Sequence, residues 1–66
     1  MLVEDLKLIL KVAEFRSITT AAAKLDMRAA TASAAIKRVE AALGAELFVR
    51  TTRHLRISAA GERFLP

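Results

Sequence analysis

Seven cations lie downstream of Met27: Arg28, Lys37, Arg38, Arg50, Arg53, Arg56 and Arg63. Six of them are arginines, whose planar fork of donors matches phosphate oxygens and guanine edges. Only Glu40, Glu46 and Glu62 oppose them, so this stretch holds the whole formal net charge of +4, while residues 1–27 sum to zero. Such an asymmetry points to a polyanion, although the same charge also keeps a small domain in solution. Other chemistries lack their reagents. No cysteine is present, which excludes disulfides and thiolate sites, and His54 stands alone, which excludes a His-based zinc site. Catalysis and cofactors are not expected. Asn and Gln are also missing, so the bidentate amide contact to adenine is unavailable. Base reading would fall to Arg, Lys, Ser, Thr and apolar contact with thymine methyls.

The elements that must position these cations fit one domain, residues 1–66. A chain of this size buries only about 60% of the surface its unfolded form exposes. No apolar run approaches the roughly 18 residues of a membrane span, and the first residues lack a signal-peptide pattern. A membrane partner is therefore not expected, and a cytoplasmic setting is. Leu6, Ile9, Leu10 and Ala13 follow helical spacing and predict a first helix buried along that stripe, with Glu4 and Asp5 in its first turn. Leu8, Val12 and Phe15 broaden the apolar surface, and Phe15 is expected in the core. Thr19 is the expected N-cap of a short helix running from Thr20 to Leu25, with Ile18 stapled onto Ala23.

After a three-residue break at Asp26-Met27-Arg28, a longer helix is predicted from Ala29 to Leu43. Its seam is Ala32, Ile36, Val39 and Leu43, and Gly44 supplies a left-handed cap. Ala30, Ala34, Lys37, Arg38 and Ala41 fall opposite the seam, with Thr31 and Ser33 on its flanks. Beyond Gly44 the period changes. Leu47-Phe48-Val49-Arg50 and Leu55-Arg56-Ile57 predict a hairpin with a basic tip at Thr51-Thr52-Arg53-His54, and without an Asn-Gly signal the loop should exceed two residues. Ser58 is placed to cap a last helix starting at Ala59. The layout is mostly α, a winged helix-turn-helix: three helices, a small β-hairpin wing and the start of a linker helix. The second helix of the turn motif presents its N-terminal face to a major groove, and the wing reaches the backbone or the minor groove.

The stretch Ser17-Ile18-Thr19 with Ala21-Ala22-Ala23-Lys24-Leu25 carries a further signal. So do Ser33, Ile36, Glu40, Leu43-Gly44, Leu47-Phe48-Val49-Arg50-Thr51 and Ser58-Ala59-Ala60-Gly61. Together these residues resemble the N-terminal DNA-binding domain of LysR-type transcriptional regulators, over essentially the whole chain. The resemblance implies sequence-specific binding of double-stranded DNA. It also implies a dimerising linker helix and an effector domain beyond Pro66, with a homodimer or higher oligomer expected only in that longer chain.

Departures from the family pattern cluster at the entrance of the recognition helix. Arg28 stands where serine is frequent, Ala29 and Ala30 where glutamine or proline is, and Ala34 where a basic residue is. Arg16 replaces a frequent glycine. The candidate DNA-binding residues are Arg28, Ala29, Ala30, Thr31, Ser33, Ala34, Lys37, Arg38, Arg50, Thr51, Arg53 and Arg56. Of Lys37 and Arg38, one is expected on a phosphate. For Arg50 the competing role is a salt bridge to Glu40 or Glu46. The rival to DNA binding is a winged-helix protein–protein docking module using the alanine-rich face.

Overall fold

The computed structural model describes residues 3–50 and 55–64, and of Arg50 the backbone alone. The order is α1 (Val3–Phe15), α2 (Ile18–Lys24), α3 (Ala29–Leu43), β1 (Phe48–Arg50), β2 (Leu55–Ile57) and α4 (Ala59–Phe64). The strands pair antiparallel, with Phe48 opposite Ile57, Val49 opposite Arg56 and Arg50 opposite Leu55. Four residues therefore join them, as the missing tight-turn signal required. The loop itself, with the expected basic tip at Thr51, Arg53 and His54, lies outside the described residues.

The three first helices pack round one core: Leu8, Ile9 and Val12 of α1, Ala21 and Ala22 of α2, and Ala32, Ala35, Ile36 and Val39 of α3. Leu47 and Phe48 close it from the root of the hairpin. Four of these nine helix residues are alanines, so the helix axes approach closely and little space is left to fill. Each buried alanine contributes only a methyl to the burial that drives folding.

Several sequence expectations shift here. The buried stripe of α1 is Leu8, Ile9 and Val12, whereas Leu6 and Leu10 are 37% and 39% exposed. Glu4, Lys7, Lys11 and Glu14 take one face of the helix and apolar residues spread over most of the rest, so its orientation is decided by contacts with both α2 and α3. Phe15 is not core: its ring is 36% exposed and lies under the ammonium groups of Lys11 and Lys24, at 5.9 and 5.7 Å from the centroid. Leu43 is likewise outside the core at 43% exposed, while Ala35 takes a buried place that the seam omitted. The N-cap of α2 is Ser17, not Thr19; its hydroxyl accepts from the Thr20 N–H at 3.1 Å, and Ile18 is the first helical residue rather than a staple. The break before α3 also begins one residue earlier, at Leu25.

Each of the three long segments stops the same way. Arg16 (φ 53°) donates its N–H to the Val12 carbonyl at 2.7 Å. Asp26 (φ 56°) donates to Ala23 at 3.2 Å while Met27 reaches back to Ala22 at 2.9 Å. Gly44 (φ 69°) donates to Ala41 at 3.3 Å and Ala45 to Glu40 at 3.2 Å. All three are left-handed stops that satisfy orphan carbonyls. Glycine adopts that conformation freely and aspartate tolerates it, but arginine carries the full Cβ penalty.

Arg16→Gly is accordingly expected to raise stability by about 0.5–1 kcal/mol, read as a higher urea midpoint at unchanged slope. Ile36, 4% exposed in the middle of α3, should behave in the opposite sense. Ile36→Ala is expected to cost about 2–5 kcal/mol, enough to leave much of so small a domain unfolded by circular dichroism.

Candidate nucleic-acid interface

Helix α3 begins without a side-chain cap. Arg28 occupies the N-cap in extended conformation (φ −76°, ψ 146°), its side chain makes no capping hydrogen bond, and no acidic residue stands in the first turn. The first N–H groups of a 15-residue helix thus face outward with their partial positive charge uncompensated. Arg28, Ala29, Ala30, Thr31 and Ala34 are all exposed around this end.

Farther along, the two cations of α3 part company. Lys37 and the half-buried Ser33 line an open cleft of about 430 Å³ between α3 and the hairpin, with Glu46, Val49 and Leu55 opposite and Ile18 of α2 at one end. Arg38 lies 100° round the helix and turns the other way, its Nη2 at 3.7 Å from Asp5 Oδ1 of α1. Ser33 has a further interaction of its own.

The hairpin is fastened to α3 by Glu40. Its Oε2 accepts the N–H of Leu47 at 2.7 Å and that of Phe48 at 3.3 Å. A carboxylate in the last turn of a helix sits at the negative end of the macrodipole, and these two donors offset that cost. Glu40 Oε2 is thus committed to backbone donors. On the far side, Ser58 donates its N–H to the Leu47 carbonyl at 2.9 Å and its hydroxyl to the Glu46 carbonyl. Its Oγ in turn accepts the Gly61 N–H at 2.9 Å, which caps α4 as the sequence indicated. Gly61 is needed for closeness: a Cβ there would run into the Leu47 carbonyl oxygen and come within 2.9 Å of Ile57 Cγ2.

From this root the strands project with Val49 and Arg56 exposed and Phe48 buried. Arg56 points outward, as its alternation with Leu55 and Ile57 indicated. Arg50 ends β1; its side chain, and the whole of Thr51 and Arg53, fall outside the described residues. The structure therefore leaves Arg28, Ala29, Ala30, Thr31 and Ala34 exposed around the start of α3 and brings Ser33 and Lys37 to the cleft. It carries Arg56 on the adjoining wing and sets Arg38 apart on the α1 flank. Sequence reasoning missed Asp5 as the partner of Arg38 and Glu40 as the fastening of the wing. The signal for Glu40 was its unfavourable place near a helix C-terminus, which demands donors. Asp5 gave no comparable signal.

Known proteins share this fold. The family model described as bacterial regulatory helix-turn-helix protein, lysR family, matches residues 3–62. The HTH-type transcriptional regulator PgrR of Escherichia coli K12 is 43% identical over 63 residues, covering 96% of this chain and 21% of that protein. The chain spans about a fifth of the length of the curated relatives it matches. Among solved structures, the CbnR DBD–DNA complex superposes with a TM-score of 0.92 at 32% identity, covering 98% of this chain and 75% of that one. The BenM DBD bound to catB site 1 DNA gives 0.92 at 31%, covering 98% and 72%.

Removing the Glu40 carboxylate tests the fastening. Glu40→Ala is expected to cost about 1–3 kcal/mol by leaving two partly buried N–H groups unpaired, with faster amide exchange at Leu47 and Phe48. Glu40→Gln, which keeps one acceptor oxygen, should lose less.

Proposed function

The chain belongs to the lysR family of bacterial regulatory helix-turn-helix proteins, and from that premise we propose that it binds double-stranded DNA sequence-specifically, as the DNA-binding domain of a transcriptional regulator. The observation that carries this reading is the exposed, uncapped start of α3 on the same helix whose Ser33 and Lys37 line the cleft beside the wing. A major groove about 12 Å wide admits a helix presented in this way.

In this reading Ala29, Ala30 and Ala34 meet apolar base edges, and Thr31 and Ser33 donate to bases or phosphates. Arg28 acts at the entrance of the helix. Lys37 takes a phosphate across the cleft, and Arg50, Thr51, Arg53 and Arg56 bring the wing onto the backbone or minor groove. Support comes from the DNA complexes of the CbnR and BenM domains, which share the fold. The reading assigns binding and no reaction, as the regulators among its relatives suggest. Among the described residues no helix is long and apolar enough to cross a membrane, and we place the protein in the cytoplasm with its DNA. In relatives some five times longer, room exists for an effector domain and for dimerisation, and we extend both to the full regulator here.

Salt dependence tests the reading. With three or four phosphate contacts per domain, log affinity for duplex DNA should fall with log salt at a slope of about −3. Arg50→Ala and Lys37→Ala should each reduce that slope by roughly one unit and weaken all sequences alike. Arg63→Ala, in α4, should leave it unchanged. A folded Arg50→Ala protein with wild-type slope would remove the wing from the interface. Failure of the wild-type domain to bind any duplex at low salt would favour the protein-docking module.

A further inference from the structure

We propose that Asp5 restrains Arg38, withholding its guanidinium from the DNA backbone, so that phosphate affinity is lower than the arginine count of the domain implies. The inference rests on the DNA-binding reading above. Its basis is the contact between elements: Arg38 Nη2 of α3 stands 3.7 Å from Asp5 Oδ1 of α1. The two ends differ in freedom. The Arg38 side chain is 66% exposed, whereas that of Asp5 is 13% exposed and has a further interaction besides. Asp5 also lies in the first turn of α1, where the macrodipole favours its negative charge. The acid is therefore the fixed partner and the arginine the movable one.

Direction matters as much as distance. Lys37, the next cation on α3, faces the cleft and the wing and makes no ion pair among the described residues. Arg38 is drawn to the opposite flank. For Arg38 to reach a phosphate it must leave Asp5, which then keeps a mostly buried charge with one compensating contact fewer. The domain thus offers one cation of the pair readily and the other only against a penalty. Because most phosphate contacts carry no sequence information, lowering their sum leaves a larger share of the binding to base edges.

The test is a double-mutant cycle on the folded domain, read by binding to two unrelated duplexes across a salt series, with a melt to establish folding. Asp5→Asn should tighten binding to both duplexes by about two- to fivefold, the range a partly exposed ion pair can supply. It should also steepen the salt slope by up to about one unit. Arg38→Ala should leave the wild-type slope unchanged, and Asp5→Asn should add nothing in the Arg38→Ala background. Weaker or unchanged binding by Asp5→Asn would overturn the proposal. So would an equal gain with Arg38 absent, which would make Asp5 a bare repulsive charge. If Asp5→Asn does not fold, Arg38→Ala decides alone: a slope flattened by one unit would place Arg38 on a phosphate and end the proposal. Wild-type binding with a Lys37→Ala slope loss keeps the DNA-binding reading standing in every one of these outcomes. Its failure shows separately, as absence of duplex binding by the wild type.

Discussion

One carboxylate oxygen, Glu40 Oε2, takes the N–H groups of Leu47 and Phe48 and so fixes how the wing leaves α3. The rest of the outward surface depends on that bond. Leu47 and Phe48 are buried beside α3, so their backbone donors need a partner, and the chain has already turned at Gly44 before reaching them. Without Glu40 the strand could still pair with β2, but its angle to α3 would be set by side-chain packing alone. The cleft that holds Ser33 and Lys37 on one wall and Val49 and Leu55 on the other would lose its fixed width. Ser58 and Gly61 brace the same root from behind. The wing is thus held on two sides at residues far from its tip.

A thin core makes such local bonds count for more. With alanines at Ala21, Ala22, Ala32 and Ala35, α2 contributes little apolar area and α3 relies on Ile36 and Val39, while Leu8, Ile9, Val12, Leu47 and Phe48 supply the other large buried side chains. The ends of the helices then carry a disproportionate share of specification. Gly44 and Asp26 suit their left-handed positions and Arg16 does not. That one strained residue lies at the α1–α2 corner, next to Phe15 and its two lysines. Nothing in the geometry of the corner requires arginine.

Those contrasts explain what the sequence disclosed. The turn chemistry was legible because single residue types force it: glycine after Leu43, serine before Ala59, and β-branched runs on either side of a polar four. The register of α1 was not. Leu6, Leu8, Ile9, Leu10, Val12 and Ala13 offer two overlapping stripes, and only the positions of α2 and α3 choose between them. Phe15 and Leu43 misled for a related reason, since apolar character says that a side chain can be buried, not that a neighbour reaches it. For the site, the exposed residues of α3 followed from its wheel. The opposite turns of Lys37 and Arg38 did not, because they depend on Asp5 and the wing, both remote in sequence.

Charge pairing divides the molecule along the same line. Toward α1 and α2 three cations are answered internally, Lys11 by Glu14 at 3.8 Å and by the Phe15 ring, Lys24 by the same ring and Arg38 by Asp5, while Lys7 and Arg16 make no ion pair with a described residue. Toward the cleft and the wing, Lys37, Arg28 and Arg56 make no ion pair with a described residue. The formal net charge of +4 lies wholly downstream of Met27, on the part of the chain that carries α3 and the wing. A charge asymmetry of this kind steers an approaching polyanion, an effect that weakens with salt. The Asp5–Arg38 pair sits at the border between the two halves. In the reading proposed above, a single carboxylate decides whether Arg38 counts with one side or the other.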